Sequence, residues 1–170
     1  EEYKISEKEA VMVTEYRNLA DIFEETARLT GNPKKSVNCV TGDTMRLIKE
    51  RGFRPEKIRF TPAHLAALIQ ETEKGELTNQ GAREVFEQIF DRDQEPMAYI
   101  EEKGLRVVKN DGLLMEAVQS VIDGNPDVVS QYREGKVKVL GFLMGQVMKA
   151  MKGKADPEKA RQMMEEILKQ

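Results

Sequence analysis

The sequence predicts an all-α, multihelical fold of two small helical domains with about nine helices. Only 6% of its 170 residues are aromatic, whereas 34% are charged and 39% are hydrophobic. This composition suits helices with solvated faces and an aliphatic core better than a β-sandwich. Apolar residues also recur at helical spacing, as at Leu65, Leu68 and Ile69. Prolines and glycines alternate along the chain as helix start and stop signals.

Five prolines mark predicted helix starts. Proline is tolerated at the first helical position because the N–H there has no partner within the helix. Ser6 and Glu9 form a capping-box pattern that opens the first helix. Glycines then supply the left-handed residue that often ends a helix. The prolines are Pro33, Pro62, Pro96, Pro126 and Pro157, and the glycines are Gly31, Gly52, Gly75, Gly104, Gly124, Gly135 and Gly153.

These signals also predict a domain boundary. Residues 106–170 hold 11 basic and 9 acidic residues, whereas the preceding residues have an acidic excess. We therefore expect a helical domain over residues 1–105 and a second domain over residues 106–170. Residues 105–108 could form a strand, but such a segment is too short and isolated to make a sheet. The predicted helices span residues 7–30, 33–51, 62–74, 80–92, 96–103, 112–123, 126–134, 136–152 and 157–169.

Catalytic constellations are scarce in this sequence. A single His and a single Cys exclude an iron–sulfur cluster and any site with two imidazoles. The glycines at 141 and 145 are not followed by the Lys-Ser/Thr pair of a phosphate-binding loop. We expect His64 on a helix surface, Cys39 as a structural thiol, and neither catalysis nor a metal site. No apolar run approaches the roughly 20 residues of a membrane span, no signal peptide opens the chain, and the first residue is not Met. A fragment or processed product in the cytoplasm is expected.

The most informative segment runs from Arg133 to Lys154, with six basic residues against one acidic residue in a chain of net charge −3. On an ideal helix, five of its residues gather opposite an apolar side that includes three methionines, expected to fill the core. We call these five the glycine–lysine face; Phe142 and Gln146 lie along its flank. The five residues are Lys138, Gly141, Gly145, Lys149 and Lys152.

Two glycines inside a helix need a reason, because each destabilises it by about 0.5–1 kcal/mol relative to Ala. One interpretation is contact with a polyanion, whose backbone approaches closely over the glycines. The other is close helix–helix packing through the same face, with the lysines as a solvated edge. In the first interpretation, Arg133, Lys136 and Lys154 add phosphate contacts and Gln146 adds a directed hydrogen bond.

Several segments resemble one known family. GFLMGQVMKAMKGKADP, from Gly141 to Pro157, is similar to the C-terminal signature of the B subunit family of aspartyl/glutamyl-tRNA amidotransferase (the GatB/YqeY family). FTPAHLAALI, from Phe60 to Ile69, is similar to that family's ITPEHLAELI. The segments around Arg83 and Gly104 also agree. The resemblance therefore covers nearly the whole chain.

The resemblance implies a function. In this family, the B subunit works with subunits A and C to convert Glu-tRNA(Gln) to Gln-tRNA(Gln), and in many organisms Asp-tRNA(Asn) to Asn-tRNA(Asn). The family's N-terminal domain, absent here, uses ATP and magnesium, so no cofactor is expected in this fragment. What remains resembles the helical domain and the YqeY-like tail, which hold tRNA(Gln) or tRNA(Asn). The fragment is expected to be non-catalytic, whereas its parent would be a ligase.

Two alternatives remain open from the sequence. The chain could be a helical protein–protein module that docks on subunits A or C or on an aminoacyl-tRNA synthetase. Such a module predicts an exposed apolar patch and little salt dependence of binding, whereas RNA binding depends strongly on salt. The chain could also be a stand-alone YqeY-like protein, although the missing Met and the opening segment favour a shortened B subunit.

Overall fold

The computed structural model describes residues 3–169, and these divide into two compact units after Gly104. The predicted all-α fold is confirmed: eleven α-helices, one π-helical turn and two 3-10 turns account for the regular structure of these residues, and none of them forms a β-strand. The division falls next to the boundary expected from sequence. The assignment of the two units as a helical domain and a YqeY-like tail stays a prediction.

Unit 1, up to Gly104, is built around one central helix. This helix, α2, packs against α3 and α5, and α5, α6 and α7 pack against one another. Its core is aliphatic with a few phenylalanines, including the fully buried Leu19, Leu47, Leu65, Ile89 and Ile100. The helices are α1 Glu7–Thr14, α2 Arg17–Thr30, α3 Pro33–Asn38, α4 Met45–Arg51, α5 Pro62–Glu73, α6 Asn79–Arg92 and α7 Pro96–Lys103, with a π-helical turn at Cys39–Thr44 and a 3-10 turn at Pro55–Lys57.

Helix α1 begins as predicted. The backbone N–H of Ser6 donates to the Glu9 carboxylate at 2.9 Å, and the N–H of Glu9 donates to Ser6 Oγ at 3.3 Å. These reciprocal bonds confirm the capping box. The predicted helix over residues 7–30 is nevertheless interrupted, because Tyr16 adopts an extended backbone conformation. The Asn18 amide donates to the carbonyls of Pro55 and Ile58 and fastens the start of α2 to that loop.

Helix α5 begins at Pro62, as predicted, but the side chain that caps it comes from a distant part of the sequence. The Thr61 side chain does not accept a capping hydrogen bond. Instead, the Asp93 carboxylate at the end of α6 accepts bonds from Thr61 N–H at 2.7 Å and Thr61 Oγ1 at 2.6 Å. The same carboxylate lies 2.9 Å from Nδ1 of His64. Partial burial raises the pKa of Asp93, but these hydrogen bonds outweigh it and leave the pKa below its ordinary value.

Unit 2, from Leu105, is a four-helix unit in which α8 packs against both α10 and α11. The helices are α8 Asp111–Asp123, α9 Pro126–Arg133, α10 Leu140–Ala150 and α11 Pro157–Leu168, with a 3-10 turn at Val137–Val139. Their shared core is aliphatic and includes the completely buried Val118, Leu143, Val147, Ala160 and Met164. The unit therefore has its own hydrophobic core, as its size and composition require.

The glycine stop signals hold with one exception. Gly31, Gly52 and Gly104 end their helices in the left-handed conformation. Gly124 was expected to do the same but has a right-handed backbone with φ −77°. There the Asn125 amide donates to the Val121 carbonyl at 2.7 Å and satisfies the end of α8. A side-chain bond thus replaces the left-handed cap.

Candidate nucleic-acid interface

The glycine–lysine face lies around α10, which also supplies the core of unit 2. Leu140, Leu143 and Val147 are buried along one side of this helix. Met144, Met148 and Met151 are partly buried and pack against the same core. They therefore fill the core, as expected from sequence. With the apolar side turned inward, the opposite side of α10 is left to solvent.

Gly141 and Gly145 lie one turn apart on that exposed side. A Cβ atom built on either glycine would meet no heavy atom within 4 Å, apart from chain neighbours and the backbone of its own helix. Close helix packing therefore does not account for these glycines within the part of the chain that the structure describes. They form an open floor to which another backbone can come close.

The lysines of the face are exposed and unpaired. Lys138, Lys149 and Lys152 are all exposed, and none of them forms an ion pair with any residue from 3 to 169. A lysine without a carboxylate partner keeps its full positive charge for an external anion. The open glycine floor is therefore accompanied by three available ammonium groups.

The face is not a single helix, contrary to the prediction for residues 136–152. Lys138 belongs to the 3-10 turn that precedes α10. Lys152 follows the end of α10 in a left-handed conformation with φ 54°, and the next residue, Gly153, is left-handed too. The Gly153 N–H donates to the Met148 carbonyl at 2.7 Å and closes the helix. The ideal-helix angles therefore hold for Gly141, Gly145 and Lys149, whereas the two outer lysines are placed by the helix ends.

Four further residues are predicted to contact the ligand, one within the segment of the face and three next to it in sequence. Gln146 is partly buried on α10, and Arg133 is exposed at the end of α9. Lys136 is exposed and lies 3.8 Å from the Glu134 carboxylate, a pair that partly neutralises it. Lys154 is partly exposed, and its carbonyl accepts a bond from the Val108 N–H at 2.8 Å. Of these four, Arg133 and Lys154 carry the charge most available to a ligand.

Helical geometry predicts that Phe142 lies beside the glycine–lysine face, but the sequence pattern indicates no role for it. It lies between Gly141 and the buried Leu143, and half of its surface is exposed. None of the aromatic contacts among residues 3–169 involves Phe142. The signal that could have identified it is an aromatic residue placed directly inside a basic, glycine-rich segment.

Cys39 and the metal-ligating residue types give less support for a functional site than the glycine–lysine face does. Burial raises the pKa of the Cys39 thiol to about 12, with a further contribution from nearby Asp43, so this thiol is a poor nucleophile. Within residues 3–169, no group of three or more His, Cys, Asp or Glu side chains could hold a metal ion. The same residues include no helix that is long and apolar enough to cross a bilayer.

A wide cleft of unit 1 does not suit a polyanion. It has a volume of about 1020 Å³ and lies between α2 and the loop that precedes α5. Its charged lining has four carboxylates and two guanidinium groups, so its local charge is negative. These residues are Glu15, Asp21, Glu56, Asp93, Arg17 and Arg59.

Comparison with known proteins identifies the family. Residues 21–168 match the GatB domain family model. The chain is 42% identical over 167 residues to the aspartyl/glutamyl-tRNA(Asn/Gln) amidotransferase B subunit of Agathobacter rectalis, covering 98% of this chain and 35% of that protein. It is 43% identical to the protein of the same name from Lachnoclostridium phytofermentans, with the same coverages. The protein of that name from Chlorobium chlorochromatii is 43% identical over 157 residues, 92% of this chain and 33% of that protein. The chain spans about a third of the length of these curated relatives, and it belongs to the GatB domain family.

Proposed function

We propose that this chain is the tRNA-holding part of an amidotransferase B subunit. It positions Glu-tRNA(Gln) or Asp-tRNA(Asn) while amidation takes place elsewhere in the complex. The observation that carries this proposal is the glycine–lysine face, with its exposed glycines and unpaired lysines. Four of its five residues lie within the segment from Gly141 to Pro157 that resembles the family signature, and Lys138 lies shortly before that segment. Relatives that are 42% and 43% identical are named as the B subunit of an enzyme that acts on tRNA, which supports the proposal.

The shape and charge of folded RNA match the glycine–lysine face. Folded RNA presents closely spaced phosphates and 2′-hydroxyls and is recognised largely by shape and charge. Lys138, Lys149 and Lys152 can each neutralise a phosphate. Gly141 and Gly145 let the sugar–phosphate chain approach the helix backbone, because no side chain stands between them. Phosphate contacts of this kind position the ligand without reading its sequence.

Partners and cofactors follow from the same proposal. The relatives are named as one subunit of an amidotransferase, and we propose subunits A and C as the partners of the protein to which this chain belongs. ATP and magnesium would act in the part of the relatives that this chain does not cover. The chain itself would bind tRNA without turning over a substrate.

A second candidate function is a docking module for a partner protein. Val11 and Met12 on α1 are exposed apolar side chains in unit 1, and they are the observation that favours it. Apolar docking depends little on salt, whereas phosphate contacts release counterions and depend on it strongly. A salt series therefore separates the two functions.

The test is binding of deacylated tRNA to the 170-residue chain across a salt series, measured by fluorescence anisotropy. Replacement of Lys138, Lys149 and Lys152 together by Ala should lower the magnitude of the slope of log affinity against log salt by about 2, because each phosphate contact contributes about 0.7 in looped RNA. At about 0.1 M salt this corresponds to about a hundredfold weaker binding. Helicity should persist, since Ala is a strong helix former.

A matched control variant carries the same change of charge on unit 1. Lys8, Lys49 and Lys57 are also exposed and lack ion pairs within the described residues, so their joint replacement by Ala removes three charges without breaking a pair. This variant should keep the wild-type salt slope. Equal losses of slope in the two triple variants would mean that tRNA responds to net charge alone, and the glycine–lysine face would not be the binding site.

A further inference from the structure

Phe142 is exceptional among the six phenylalanines. Phe23, Phe60, Phe86 and Phe90 are buried in the core of unit 1. Phe53 is 49% exposed, but its ring lies 5.7 Å from that of Phe90 in an edge-on contact. Phe142 is 50% exposed, and none of the aromatic contacts among the described residues involves it. Phe142 is thus a large aromatic side chain with half of its surface available to a ligand.

The surroundings of Phe142 define the chemistry of its partner. On a helix, positions three and four residues apart are neighbours on the surface. Phe142 is therefore flanked by the open Gly145 at i+3 and by Gln146 at i+4. The missing side chain of Gly145 leaves room for a flat group beside the ring. The charge around it is positive, from Lys138 and Lys149.

We propose that Phe142 stacks against an unpaired nucleobase of the bound RNA, with Gln146 placed to hydrogen-bond the edge of that base. This inference rests on the proposed function and adds the kind of RNA that the face selects. A base stacks on an aromatic side chain through its π face, whatever its identity. Within a duplex the bases already stack on each other, so only a looped or splayed nucleotide can reach Phe142. The lysines then hold the phosphates on either side of that nucleotide.

The experiment compares two RNA probes of equal length and charge: a hairpin with an unpaired loop that carries one 2-aminopurine, and a blunt duplex. Phe142→Ala should weaken hairpin binding by about tenfold, in the range found when a stacking aromatic is removed. Its salt slope should equal that of the wild type because no charge changes. Binding of the duplex should be unaffected, and the quenching of 2-aminopurine on binding should be lost.

Further variants separate stacking from simple apolar contact. Phe142→Leu keeps apolar bulk without a π face and should behave like Phe142→Ala. Phe142→Trp should bind the hairpin at least as well as the wild type. Leu113 is also 50% exposed and lies on α8 of the same unit, so Leu113→Ala controls for the loss of exposed apolar surface and should leave binding unchanged. All four variants alter an exposed side chain, and circular dichroism would verify that they fold.

The outcomes separate this inference from the proposed function. Wild-type affinity in Phe142→Leu, or equal losses in Phe142→Ala and Leu113→Ala, overturns stacking while the lysine-dependent salt slope still supports tRNA binding. If Phe142→Ala weakens binding to the partner subunits and leaves both RNA affinities intact, Phe142 belongs to a protein contact and stacking is overturned. If the wild-type chain binds neither probe in a salt-dependent way, the proposed function fails as well.

Discussion

The arginines of α4 in unit 1 and the lysines of the glycine–lysine face in unit 2 differ in how they are paired. In unit 1, Arg46 pairs with Glu50 at 2.8 Å, Arg51 pairs with Glu87 at 3.1 Å, and the second of these pairs joins α4 to α6. In unit 2, the lysines of the glycine–lysine face have no such partner among residues 3–169. Pairing cancels a positive field close to the surface, whereas unpaired lysines maintain it.

Unpaired charge alone does not mark a site. Lys8, Lys49 and Lys57 in unit 1 are exposed and unpaired too within the described residues, and they lie on α1, α4 and the 3-10 turn. The lysines of unit 2 instead surround a backbone surface that has no side chains. The candidate site is therefore defined by the combination of unpaired positive charge and exposed glycine backbone.

One glycine of each unit, Gly52 and Gly141, shows a second difference. Gly52 has φ +67° and ends α4 through a bond from its N–H to the Ile48 carbonyl, so its backbone conformation requires glycine. Gly141 lies within the regular helix α10 and has open space where a Cβ would lie. Folding explains the first glycine and gives no reason for the second.

Substitution by Ala should therefore have opposite effects on stability at these two glycines. Gly52→Ala should lower the free energy of unfolding by about 1–2 kcal/mol, because a Cβ is strained in the left-handed conformation. Gly141→Ala should raise it by about 0.5–1 kcal/mol through helix propensity and a less flexible unfolded chain. Chemical denaturation followed by far-UV circular dichroism measures both. A loss of stability in Gly141→Ala would show that the face is packed after all.

Removal of an ion-pair partner in unit 1 should change the free energy of unfolding by less than Gly52→Ala does. Glu87 receives both Arg46 at 3.8 Å and Arg51 at 3.1 Å, so Glu87→Gln should lower the free energy of unfolding by up to about 1 kcal/mol. Lys149→Gln should change it by less than about 0.5 kcal/mol, since no pair is lost. The same denaturation experiment at low and high salt checks this, because the Glu87→Gln deficit should shrink at high salt. A larger loss of stability in Lys149→Gln than in Glu87→Gln would contradict the conclusion that Lys149 has no ion-pair partner in the fold.

Much of the fold could be predicted because its signals are local. Proline at the first helical position and a cap before it depend on adjacent residues, which is why the starts of α3, α7 and α11 were predicted within a residue. No glycine or proline near Tyr16 indicates the interruption of the first helix. The contacts of Asn18 beside it are with a loop about 40 residues away in sequence. The Asp93 cap has the same kind of origin, because its partners Thr61 and His64 lie about 30 residues away in sequence. No sequence signal indicates the π-helical turn at Cys39–Thr44.

Helical periodicity predicts the central part of the candidate site but not its two ends. The inward face of α10 and the exposure of Gly141 and Gly145 follow from helical periodicity. The positions of Lys138 and Lys152 do not, because the helix starts later and ends earlier than the sequence pattern indicates. Helical periodicity also places Phe142 along the flank of the face, and its exposure follows from the side of α10 that the aliphatic residues occupy.

Gly145→Leu tests most directly the claim that the glycine floor serves a ligand and not the fold. We expect the free energy of unfolding of this variant to stay equal or to rise by about 0.5–1 kcal/mol, because the space is open and Leu favours a helix. We also expect tRNA affinity to fall at every salt concentration with an unchanged salt slope, since the added side chain holds the phosphate chain away without removing charge. A loss of several kcal/mol of stability, as overpacking at a tight contact would cause, would contradict the account. So would full tRNA affinity in a stably folded Gly145→Leu variant.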